Sequence, residues 1–159
     1  MRPIAKAGLV AIGYVAAVAA AWLVLHIYIA ATSGADRQTY DGMYAFGDSL
    51  LFLGALGLAA VPATAAALYF LRPRPAFWAT LSVVSLVIAG TGVLAAGVYS
   101  SAPVVTLRIF VAPLLAMFFL LAGLLAPNRR ARIALIAATT IEAVAFAYVV
   151  LGWVYALHR

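Results

Sequence analysis

Four ionisable side chains stand inside otherwise apolar stretches of the sequence: His26, Asp48, Arg108 and Glu142. An acid or an arginine at the centre of an inserted helix costs about 2.5–3.5 kcal/mol, so each needs a partner, an aqueous cavity or a task. Asp48 and Arg108 carry opposite charges and could clasp two helices or grip a small ligand or ion, with His26 beside them. Asp41 and Tyr44 extend that cluster toward the polar stretch 32–43, where Asp36, Arg37 and Tyr40 lie between the turn-forming Gly34 and Gly42. Glu142 is a different case. It follows Thr139 and Thr140, the sequence sets it level with Ser82 and Ser85, and no cationic residue shares its depth. It therefore reads either as a proton-relay residue or as a structural acid among hydroxyls.

Other chemistry is missing. There is no cysteine, which removes thiolate nucleophiles and cysteine zinc sites. No GxSxG, HExxH or glycine-rich phosphate loop occurs. His26, Asp48, Asp41 and Asp36 are sensible ligands for a hard cation but lack close spacing, and His26 with His158 makes a poor haem pair. No metal and no cofactor is expected, and an enzyme is disfavoured.

The elements that must position these residues follow from composition. Of 159 residues, 68% are apolar and 9% charged, and the mean hydropathy is +1.15. A soluble domain is about 45–50% apolar and about 25% charged, and so short a chain has too little interior to hide the excess, which excludes a soluble globular enzyme. A spanning helix takes about 20 residues. The charged residues cut the chain into runs that hold five such helices, near 4–31, 44–71, 77–99, 104–126 and 133–157. The expected fold is thus all-α, a polytopic membrane helical bundle forming one transmembrane domain. Membrane strands would alternate polar and apolar residues, and these runs do not.

Basic residues set the orientation. Arg2, Lys6, Arg72, Arg74, Arg129, Arg130 and Arg132 fall on the side of the N-terminus, and Arg37 and Arg159 on the other, so the positive-inside rule places the N-terminus in the cytoplasm and the C-terminus outside. The expected location is a bacterial inner membrane. The net charge of +6 is split over short segments, which suits topology and anionic headgroups and excludes a nucleic-acid partner. Tyr28, Tyr44, Tyr99, Trp153 and Tyr155 fall near the outer boundary and Tyr69 and Trp78 near the inner one, as headgroup-level rings do. Trp22 and Tyr14 read as packing residues. Pro62 and Pro113 should kink the second and fourth helices. Small residues, among them Ala16 to Ala21, Ala63 to Ala67, Gly90, Gly92 and Gly97, supply faces for close helix packing.

On this frame Asp48 and Arg108 each lie about four residues, roughly 6 Å, below the outer starts of parallel helices, with His26 in the same layer. Three function classes stay open. The first is a non-catalytic accessory subunit or small-ligand binder, partnered by the bilayer, other membrane subunits, a second copy or a small lipophilic ligand. The second is a proton-linked transporter, and the third a membrane enzyme acting on a lipid or quinone through His26, Asp48 and Arg108. Five helices in about 160 residues resembles the format of the translocator protein family, whose Trp/Pro-rich signature this chain lacks: its tryptophans are Trp22, Trp78 and Trp153. No residue role is carried over. The ion pair makes a direct prediction: in detergent-solubilised protein, the stability loss of the double variant D48N/R108Q should be smaller than the sum of the two single losses. Strict additivity in a double-mutant cycle would remove the pair.

Overall fold

The structure is a computed structural model that describes residues 3–33, 41–97 and 103–157, with backbone alone for 41, 103–109, 156 and 157. Six helices account for nearly all of it: α1 (Pro3–Ala31), α2 (Asp41–Ala59), α3 (Val61–Phe70), α4 (Pro75–Gly97), α5 (Pro103–Leu125) and α6 (Arg129–Leu157). The all-helical expectation is met, with no strand among the described residues. Among the described residues, four helices are long and apolar enough to cross a membrane: Pro3–Ala31, Gly42–Ala59, Pro75–Gly97 and Arg129–Tyr155.

Two boundaries differ from the sequence reading. The span expected over 44–71 is divided into α2 and α3 at Ala60, two residues before Pro62. Pro62 has no N–H to offer Leu58, and the helical ladder is interrupted there rather than lost. Ala60 N still donates to Leu56 O (2.9 Å), and Thr64 N to Ala60 O (2.9 Å). Pro113, by contrast, stays inside the single helix α5. The last helix begins at Arg129 rather than near 133 because Asn128 caps it: Asn128 Oδ1 accepts the Ala131 N–H at 2.7 Å. Charge alone had marked that boundary.

The chain forms two compact units, Met1–Phe70 and Leu71–Arg159. In the first, α1 runs antiparallel to α2 and α3. Trp22 meets Phe52 edge to face with ring centroids 5.9 Å apart, Tyr14 Oη lies 2.9 Å from Thr64 Oγ1, and Lys6 Nζ sits 5.3 Å over the Phe70 ring. Gly13 makes the closest of these approaches, since a Cβ added there would stand 2.8 Å from Ala63 Cβ. Ala17 and Ala21 are buried on the same helix. Tyr14 and Trp22, expected as packing residues, make these contacts but stay exposed, Trp22 at 51%.

The second unit is a three-helix seam. On α4 the buried residues are Trp78, Ser82, Ser85, Ala89, Gly92 and Ala96; on α6 they are Ala131, Leu135, Ala138, Glu142, Ala145 and Val149. Both series step by four, three, four, three and four residues, the heptad spacing of helices that cross at a shallow angle. Ala89 packs with Ala138 and Phe119, and Ala96 with Ala145 and Val149, so α4 and α6 run parallel; Gly92 and Glu142 border one void with Ala112, so α5 runs opposite to both. Trp78 corrects the sequence reading. It is fully buried and its indole N–H donates to Leu71 O at 3.1 Å, because it fills the first seam position beside a turn that has a carbonyl to satisfy. Tyr69, in contrast, is exposed.

Replacing Gly13 by Ala should lower stability by about 1–3 kcal/mol, the usual effect of overpacking, read as an earlier unfolding midpoint in detergent. Gly8→Ala, where nothing lies within 4 Å, should be neutral or slightly stabilising. Equal behaviour of the two variants would refute the tight contact.

Candidate functional site

Two places hold the ionisable residues picked out by sequence. The first is on the α1–α2 pair. His26 is exposed on α1, and its Nδ1 lies 2.9 Å from Trp22 O, so that nitrogen carries the proton it donates. The imidazole is also packed on the Trp22 ring, centroids 5.1 Å apart. Trp22 meets Phe52 across the antiparallel pair. One helical turn onward from each brings His26 on α1 and Asp48 on α2 into one layer, on the faces that carry Trp22 and Phe52. Asp48 is half-buried and its Oδ1 is enclosed without a hydrogen bond to that atom. Tyr44 lies one turn further along the same face, also half-buried. The side chains of Asp41 and Arg108 lie outside the described residues, as do Asp36, Arg37, Tyr40 and His158.

The second place is the seam of the Leu71–Arg159 unit. Glu142 is 0% exposed, at a heptad position that neighbouring turns fill with alanine. Beside it is a void of about 10 Å³, bordered by Gly92, Ala96, Ala112, Ala145 and Phe146. That volume is about the size of one water molecule. Three hydroxyls of the seam helices donate to carbonyls of their own helix. Thr139 Oγ1 donates to Leu135 O (2.9 Å) and Thr140 Oγ1 to Ile136 O (3.0 Å). Ser82 Oγ donates to Trp78 O (2.7 Å). Counting residues inward from the helix ends had put Ser82 and Ser85 level with Glu142. The packing sets Gly92 there instead, and Ser85 lies two turns away, roughly 10 Å, because α6 extends farther past the seam than α4. Ser85 Oγ is buried with no hydrogen-bond partner among the described residues.

A larger space opens on the flank of the same helices. A groove of about 420 Å³ between α4 and α6 is walled by Val93, Ala96, Gly97, Val144, Ala145 and Tyr148. Its lining is apolar apart from the Thr140 hydroxyl and the Tyr148 ring, and Thr140 already donates to its own helix. Ala96 and Ala145 border both the groove and the void at Glu142. The sequence reading missed the groove. Its signal was the pairing of Ala96 and Gly97 with Ala145, small residues that leave room rather than fill it. Chemically the arrangement suits enclosure of an apolar group; the volume falls in the range of small-molecule sites, roughly 300–1,000 Å³. Among the described residues no three potential metal ligands come together.

No family model, curated protein or solved structure matches the chain, so the likeness in format to the translocator protein family assigns no role. The site itself yields a prediction. Removing one member of a buried polar contact costs about 1–3 kcal/mol, because the other is left unsatisfied. In denaturant titrations in detergent, Glu142→Gln, which keeps an amide of the same size, should unfold within about 1 kcal/mol of the parent, and Glu142→Met should lose about 1–3 kcal/mol. Equal stability of the parent and both variants would leave the carboxyl without a part in the seam.

Proposed function

We propose that the chain is a five-span inner-membrane protein, N-terminus cytoplasmic, that holds a lipophilic small molecule or lipid chain without transforming it. The groove of about 420 Å³ between α4 and α6 carries this reading, being concave, apolar and open at the side of two helices long enough to span a bilayer. With α1, α4 and α6 as three of the spans, length supports two more. The 23 residues of α5 reach about 35 Å. The α2–α3 segment, continuous in hydrogen bonding through Ala60, is longer still. The basic segments on the N-terminal side support the orientation. The layer of His26, Asp48 and Tyr44 then serves to order the ends of α1 and α2.

A proton-linked transporter is the second reading, favoured by one observation: Glu142 lies behind the groove, separated from it by Ala96 and Ala145. The groove reading is tested by photolabelling with a diazirine fatty acid in nanodiscs, followed by peptide mapping. Label should concentrate on the α6 segment containing Val144 and Tyr148. Val93→Trp with Val144→Trp, which fill the rim at exposed positions, should cut it at least fivefold. Even labelling of all exposed apolar residues of α6 would sink the proposal. Proton uptake by vesicles that requires Glu142 would shift the choice to the transporter.

A further inference from the structure

One end of the Leu71–Arg159 unit is crowded with positive charge. Because Ala89 packs with Ala138 and Ala96 with Ala145, α4 and α6 start at the same end. The stretch ahead of α4 carries Arg72 and Arg74, and the start of α6 carries Arg129, Arg130 and Arg132, all five exposed. The sole acid in residues 71–159 is Glu142, ten residues beyond Arg132 along α6, or roughly 15 Å. Arg129, Arg130 and Arg132 stand at the positive end of the α6 dipole, where acids rather than bases are favoured.

Both arginine-bearing turns are also fixed in place. Leu71 O accepts the Arg74 N–H at 3.0 Å and the indole N–H of fully buried Trp78 at 3.1 Å. Asn128 Oδ1 caps α6, and Arg132 Nη2 donates to Ala126 O at 3.2 Å across the α5–α6 turn. A charged surface whose backbone is already ordered loses less entropy when it binds. Guanidinium groups match phosphate oxygens in a two-pronged geometry that ammonium groups lack. The two apolar helices that begin here are long enough to cross a membrane, which sets this end at headgroup depth.

We infer that the Arg72, Arg74, Arg129 and Arg130 end of this unit is a binding surface for anionic phospholipid headgroups. The inference does not depend on the groove. It is tested by native mass spectrometry of the detergent-solubilised chain, where there is no leaflet asymmetry and so no topology effect. Phosphatidylglycerol and cardiolipin should be retained at least tenfold over phosphatidylcholine, and the preference should shrink as salt rises. R72Q/R74Q and R129Q/R130Q should each weaken anionic-lipid retention about 25-fold, about fivefold per arginine removed. The charge-keeping variants R72K/R74K and R129K/R130K should lose less. The inference is overturned if the parent protein retains the three lipids equally, a result that needs no variant to fold. It is equally overturned if the glutamine variants keep the preference, or if inorganic phosphate at the lipid concentration binds as strongly, which would mark a free-anion site.

Discussion

The second unit depends on how closely two backbones can approach. Apolar helices in lipid gain nothing from leaving an apolar solvent, so they associate through van der Waals contact, which requires small side chains where they meet. Ala89 against Ala138 and Ala96 against Ala145 provide that contact along α4 and α6. Gly13 against Ala63 provides it in the first unit. Everything else in the Leu71–Arg159 unit follows from the seam: where Trp78 is buried, which residue faces Glu142, and where the helices part enough to leave the groove. Phe119, Leu135 and Val149 are the bulkier residues that fill the remaining space.

Much of the fold was legible because composition and the spacing of charges are coarse signals. The all-helical class and the interruption near Pro62 could be read directly. The seam could not, since nearly every residue of α4 and α6 is apolar and hydrophobicity therefore has no periodic contrast. The contrast is in size: small residues recur at Ser85, Ala89, Gly92 and Ala96 and at Ala131, Ala138 and Ala145. Trp78 was misread for a related reason. A tryptophan near an arginine turn looks like a headgroup anchor, and only three-dimensional packing reveals that its indole is turned inward to the Leu71 carbonyl.

The candidate sites were legible in unequal measure. Trp22 against Phe52 fixes the antiparallel register of α1 and α2, and with it the layer that His26 and Asp48 occupy. Depth was not enough for Glu142. Helix ends are ragged, α6 starts four residues before the charge boundary suggested, and an offset of a few residues exchanges a serine neighbour for a glycine. The hydroxyls of Thr139 and Thr140 illustrate a second limit. A threonine inside a helix can satisfy itself by donating to the carbonyl four residues back, as both do.

Glu142 also gives the unit a history. The chain is made from its N-terminus, so α4 and α5 are complete before the acid-bearing turn of α6 emerges. Alone in hydrocarbon, that turn would carry an insertion penalty of about 2.5–3.5 kcal/mol. Gly92, Ala96 and Ala112, which enclose it in the finished protein, belong to the two helices already synthesised. The acid of α6 therefore packs against helices that synthesis has already produced, so that synthesis order and packing order coincide.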